Sequence, residues 1–382
     1  MASSYYFYVL LFSLAVFLFL RSYAAKPLKP AGSTGIHLPI RKNNTSLQYY
    51  TTVEMGSGTG DQVNIVKTIA NLIIDLRGQF LWLNCDKYNS KSYRPIRCGS
   101  TKCKAAKGSG CVADGFGEDV MSVYSTDGYS VIAKNKVSHF PFSCAASFLL
   151  EGLASGTNGM IGLARTQTSL PTQIAYAFKL PHPHKFALWI PSSNKSGLGD
   201  IFICDGPYYM LPTAKIVSES LTTTPLLINP GVDGTKLRTI APYTTLHTSI
   251  YKALVSEFFK KAATKKMKRV MSVAPFGACF SSKTIASTKT GLAVPAIYLV
   301  LQKASVYWRI YGANSMVKVK KDVLCLGFVD GGSGSKPRTS IVVGGHQMEN
   351  YLLEFDTGNY PKLGFSSSLL LLNASCSHFR IF

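Results

Sequence analysis

From residue 47 onward, hydrophobic positions come in short β-prone runs at a regular cadence: "LQYYTTVEM", "VNIVKTI", "LIIDL", "QFLWLNC", "DVMSVYS", "YSVIA" and "HFPFSCA". Turn residues separate them, a pattern that predicts an all-β architecture rather than alternating strands and helices. Two stretches follow a helical period instead. "SLPTQIAYAF" offers Ser169 as N-cap with Pro171 just inside the start. "TSIYKALVSEFFKKA" places Ile250, Leu254 and Phe258 at i, i+4 and i+8 along one face. The order of these pieces repeats. A strand ending at Asp75 precedes the glycine-ended run "NGMIGLAR" and a helix, while "TKLRTIAPYTTL" precedes a helix and then the glycine-ended "TSIVVGG". Such self-similarity predicts two related lobes.

The N-terminus adds a destination. "YVLLFSLAVFLFL" is too short to cross a bilayer and fits the core of a signal peptide, with small residues Ser22 and Ala24 before the cleavage point. Residues 1–24 are read as that signal. An uncleaved anchor is the alternative, because the segment before the apolar run carries no positive charge. A Pro-rich polar entry occupies 25–46. Sequons at Asn43, Asn44, Asn194 and Asn373 agree with export. Nine cysteines in an exported chain imply disulfides, and the odd count leaves one over. Cys98, Cys103 and Cys111 have no His beside them, so neither a metal nor any other cofactor is expected.

With 41 Lys+Arg against 19 Asp+Glu the net charge is +22, and a polyanionic partner becomes plausible. Export disfavours nucleic acid and leaves acidic cell-wall polysaccharide. The densest basic run, "KKAATKKMKR", reads first as the solvated end of a helix.

Several words of the chain carry a family resemblance: "DLRGQFLWLNCD", "FSCA", "LASGTNGMIGLAR", "LPTQIAYAF", "PYTTLHTSIYKAL", "VAPFGACF", "VLCLGFVDGG" and "TSIVVGGHQMENYLLEFD". In this order they resemble the pepsin-like aspartic proteases. The likeness is closest to the plant extracellular branch of basic seed globulins, dermal glycoproteins and inhibitors of xylanases and xyloglucan-degrading endoglucanases. The resemblance implies an all-β, bilobal, pepsin-like double β-barrel with a central cleft and a few short helices. It divides the chain into lobes at 47–205 and 206–382, the second trimmed after residue 230, where relatives carry an additional segment. It also implies the disulfides Cys85–Cys144 and Cys279–Cys325 and a monomer, and it puts Tyr124 in the flap region, where an aromatic packed in a sheet is the equal alternative.

An active member needs two carboxylates sharing one proton, one from each lobe. Here the first turn reads Asp75-Leu76-Arg77, and the alignment puts Arg238 at the second aspartate. An arginine cannot act as an acid or share a proton. If it faced Asp75 it would stabilise the carboxylate. The intact Asp356-Thr357-Gly358 comes too late in the chain and reads as a turn. The resemblance therefore implies a secreted, inert homologue that binds and inhibits cell-wall-degrading glycoside hydrolases. The rivals are an active aspartic endopeptidase cleaving peptide substrates, and a basic protein held on acidic cell-wall polysaccharide.

Overall fold

A computed structural model describes residues 35–59, 66–105, 115–128, 130–181, 184–193, 197–203, 206–210, 215–226, 234–333 and 339–374. The signal segment, Asn194, Cys111, Cys204 and Cys376 lie outside them.

In the first half, "NLIID" forms the end of the strand Val66–Asp75, whose Leu72, Ile73 and Ile74 are all buried. A continuous apolar run fits a strand covered on both faces rather than one alternating toward water. This strand pairs antiparallel with Tyr49–Thr59 and parallel with Gly159–Gly162, in a register that sets Asp75 opposite Gly162. Leu81–Asn84 lies between Gly159–Gly162 and Val131–Ala145. The latter pairs with Phe116–Thr126, which turns back onto Gly35–Lys42 and Tyr49–Thr59. Seven strands thus close into a barrel, leaving it no free edge.

The second half repeats the central arrangement. Thr235–Arg238 pairs parallel with Ile341–Gly344, setting Arg238 opposite Gly344. Thr244–Leu246 pairs antiparallel with that same glycine-ended strand and parallel with Phe328–Asp330. Leu81–Asn84 makes the same two pairings in the first half. The helix Thr248–Thr264 follows, with Phe258 buried and Ile250 and Leu254 packed against the second core, as the spacing predicts. The helix Leu170–Phe178 starts after Ser169, whose hydroxyl donates to the Thr166 carbonyl rather than accepting from the helix.

The halves share one sheet. Lys185–Trp189 pairs with Gly199–Ile203 on one side and with Leu352–Asp356 on the other, and the C-terminal strands Lys362–Phe365 and Thr222–Pro225 extend it. Phe186 and Phe355 stack across this junction at 4.9 Å.

The two halves differ at one edge. Val66–Asp75 has a neighbour on each side, whereas Thr235–Arg238, only four residues long, ends its sheet; among the described residues only Ile341–Gly344 pairs with it. The remaining strands of the second half form separate four- and two-stranded sheets. In one of these, the hairpin of Ile297–Val300 with Tyr307–Ile310, Tyr298, Val300 and Tyr307 stay exposed. An edge with few neighbours opens more readily than a covered strand. Amide exchange followed by mass spectrometry is therefore expected to be at least about tenfold faster over 235–238 than over 71–75. Equal protection would show that the edge is covered.

Candidate functional site

The strand ending at Asp75 turns sharply, with the Gly78 amide donating to the Asp75 carbonyl at 3.2 Å. A Cβ on Gly78 would come within 2.8 Å of the Gly162 backbone, so this close approach requires glycine. The second half makes the same turn, the Ala241 amide donating to the Arg238 carbonyl at 3.4 Å. There a Cβ on Gly344 would lie 2.3 Å from the Tyr243 backbone. Strand register, turn and glycine contact all make Arg238 the counterpart of Asp75.

One interaction ties the two turns together. The buried Thr239 hydroxyl donates to the Ile74 carbonyl at 2.6 Å and accepts from the Leu76 amide at 3.4 Å. The pseudo-equivalent residue, Leu76, has no hydroxyl to return the bond. Half of a reciprocal clasp remains.

Asp75 is half-buried, and its Oδ1 accepts the Arg77 backbone N–H at 2.9 Å. Arg238 is exposed and forms no hydrogen bond or ion pair with Asp75, so it does not clamp the carboxylate. Arg77 is exposed too, which explains why a bulky cation is tolerated at this turn. The two equivalent register positions thus carry one half-buried carboxylate and one solvent-facing guanidinium.

Other candidates fall elsewhere. Tyr124 lies inside its strand, opposite His37 on one side and Lys134 on the other. Its strand Phe116–Thr126 and Val131–Ala145 form a hairpin with Tyr124 near its far end, where the Ser130 amide donates to Asp127 Oδ1 at 2.7 Å. Asp356 ends the strand Leu352–Asp356 and accepts the Gly358 amide at 3.1 Å, an Asx turn leading into Lys362–Phe365. His139 pairs with Glu118 at 2.7 Å while the Ser143 hydroxyl donates to the Gly115 carbonyl, so no serine–histidine couple forms there. The disulfides Cys85–Cys144 and Cys279–Cys325 are both present. Cys103 is also in a disulfide, which removes its thiolate as a metal ligand. Asn43 is held in a turn, its side-chain oxygen accepting the Thr45 and Ser46 amides, while Asn44 and Asn373 are exposed.

A polar cluster between the halves has no counterpart in any sequence motif. Glu349, 1% exposed, accepts from Lys42 at 2.5 Å and from the Tyr49 hydroxyl at 2.6 Å, with His346 Nδ1 at 3.2 Å. Burial, and then the neighbouring Glu349 carboxylate, hold the Tyr49 phenol well above its ordinary pKa, so it remains a donor. Lys42 lies 307 and Tyr49 300 residues from Glu349, and no local pattern could join them.

Two family models cover most of the chain: xylanase inhibitor N-terminal over residues 49–205 and xylanase inhibitor C-terminal over 214–367. The chain belongs to this xylanase-inhibitor-type, pepsin-like family. A Nicotiana benthamiana protein named "Probable aspartic proteinase GIP2" is 39% identical, the match covering 100% of this chain and 99% of that one. Gamma conglutin 1 of Prunus dulcis is 35% identical over 90% of this chain and 91% of its own. Among solved structures, edgp superposes with a TM-score of 0.83 at 38% identity, covering 91% of this chain and 98% of that one. An aspartic proteinase from Irpex lacteus, at 12% identity and TM-score 0.54 over 90% of this chain and 99% of its own, shares the fold. The alignment with the Nicotiana protein spans 452 positions and takes in all 382 residues here, so that relative carries stretches with no counterpart in this chain.

The surviving clasp gives a direct test. Thr239→Val leaves the Ile74 carbonyl and Leu76 amide without their shared partner and should cost about 1–3 kcal/mol in denaturant unfolding. A loss below about 0.3 kcal/mol, within the noise of such measurements, would show that the lobes do not depend on it.

Proposed function

We propose that the protein is a secreted, catalytically inert pepsin-like binding protein that inhibits glycoside hydrolases attacking plant cell walls. The observation that carries the inert half is Arg238 in the position equivalent to Asp75. Hydrolysis by this fold needs one carboxylate as base on the water and a second, protonated, on the scissile carbonyl. A guanidinium stays protonated through the working range and can do neither. The inhibitor half rests on the xylanase-inhibitor family models that cover both lobes. A basic residue entering an enzyme's carbohydrate cleft would meet the paired carboxylates of a retaining glycosidase, which gives such binding a physical basis.

The run "SSSLLLLNASC" near the C-terminus carries no basic residue to make that contact. Ser368 and Leu369 are buried, and Leu369 packs with Trp189 and Leu352 beneath the shared sheet, leaving Leu371 and Asn373 outward. We place the stretch that this chain lacks after residue 230, immediately before the short edge strand Thr235–Arg238. The relative named as an aspartic proteinase supports the rival reading, an active endopeptidase.

One pair of assays separates the two. The secreted protein should lower the rate of xylan or xyloglucan hydrolysis by at least one enzyme in a panel of xylanases and endoglucanases, and should cleave no peptide library at acidic pH. Pepstatin-sensitive peptide turnover that survives in Arg238→Ala and vanishes in Asp75→Asn would establish a protease instead.

A further inference from the structure

The basic run "KKAATKKMKR" is absorbed neither by the missing dyad nor by the glycosidase reading, and the fold adds to it from two other segments. Lys260 and Lys261 lie near the end of the helix Thr248–Thr264 and Lys265 and Lys266 follow it, all exposed, and Met267 turns inward to anchor the exit. Lys268 comes next. Its amide donates to the Thr284 hydroxyl at 3.0 Å and its carbonyl accepts the Ser281 amide at 2.9 Å. The chain then runs as Arg269–Val270 beside Cys279–Ser281, which pairs with Val323–Leu326, and that strand with Met316–Lys320. The Ser282 amide donates to the Asp322 carbonyl at 3.0 Å. Lys268, Lys283, Lys320 and Lys321 are therefore brought to one end of this four-stranded sheet, the end where the helix terminates.

Few acids answer these charges. Glu257 lies 3.8 Å from Lys260 and 3.7 Å from Lys261, and Asp322 3.4 Å from Lys283. All five of these side chains are about half exposed or more, so the pairs are weak. Lys265, Lys266, Lys268, Lys320 and Lys321 form no ion pair among the described residues. A helix C-terminus favours one or two cations, but it does not account for lysines supplied by the sheet.

We propose that this lysine pole binds a linear polyuronate, a polysaccharide carrying one carboxylate per sugar. The chemistry of the cluster selects that class. The cationic ends presented to solvent are compact ammonium groups, which act as point charges without the planar fork that suits phosphate. The one arginine here, Arg269, is engaged 3.6 Å over the Phe259 ring. Bases of a single-stranded nucleic acid would need exposed aromatic faces, and the aromatic side chains at this pole, Phe258, Phe259 and Phe280, pack against one another and the second core. The proposal stands whether or not the protein inhibits a glycosidase.

The test uses the full secreted chain, polygalacturonate as probe, and two triple variants of equal charge change. Lys265→Glu/Lys268→Glu/Lys320→Glu alters the pole, and Lys87→Glu/Lys91→Glu/Lys179→Glu alters the first half. The pole variant should bind polygalacturonate at least about tenfold more weakly and with a shallower salt dependence, while the control variant changes less than about threefold. The matching Lys→Gln set keeps the comparison usable if charge reversal disturbs folding. Equal weakening by both sets would reduce the effect to net charge and overturn the pole as a site. Tighter binding of single-stranded DNA than of polygalacturonate at the same charge concentration would overturn the polyuronate assignment.

Discussion

Everything about the position of the two central turns depends on an antiparallel strand pairing between the halves of the chain. Lys185–Trp189, the late strand of the first half, hydrogen-bonds along Leu352–Asp356, the late strand of the second. Its side chains are buried on both faces: Phe186 and Leu188 enter the large core with Leu353 and Phe355, while Ala187 and Trp189 face Leu352 and Leu369. A sheet buried on both sides has only one register that keeps each apolar residue on its proper side. The lobes are thus locked by the same physics that orders a single sheet, and the ends of Val66–Asp75 and Thr235–Arg238 meet where the Thr239 hydroxyl can reach across.

On that frame, polar contacts refine the junction. The Glu349 carboxylate is stripped of water and compensated by Lys42, Tyr49 and His346 drawn from both ends of the chain. A buried charge with partners removed is strongly destabilising, so the cluster enforces one way of docking more than it adds to stability. Thr239 acts similarly on a smaller scale. Neither contact involves the Asp75 carboxylate, so the docking of the halves does not depend on what faces it.

The second half keeps the central motif with fewer strands beside it among the described residues. The first half closes into a barrel, but Thr235–Arg238 is an edge four residues long. Short edge strands carrying Lys and Arg resist pairing with other chains, and Lys236 and Arg238 supply that protection here. The cystine Cys279–Cys325, joining directly paired strands, reinforces the remaining sheet.

Much of this was legible beforehand. Short apolar runs between turn residues define the strands because burial and pleat act locally, and the repeated strand, glycine-ended run and helix announced two lobes. The motif words identified the family, and with it both disulfides and the counterparts Asp75 and Arg238. Other features depend on distances that sequence does not encode. The register that sets Tyr124 opposite His37 on one side and Lys134 on the other appears only once the strands pair. Arg238 replaces an aspartate in the sequence, but whether it grips Asp75 or faces water is set by the turn that carries it. The Glu349 cluster and the lysine pole join residues tens to hundreds of positions apart, brought together by strand register. The sequence by itself determined which elements form and which family the chain belongs to. The tertiary structure decided which side chains meet, because contact between distant residues is created only when the sheets close.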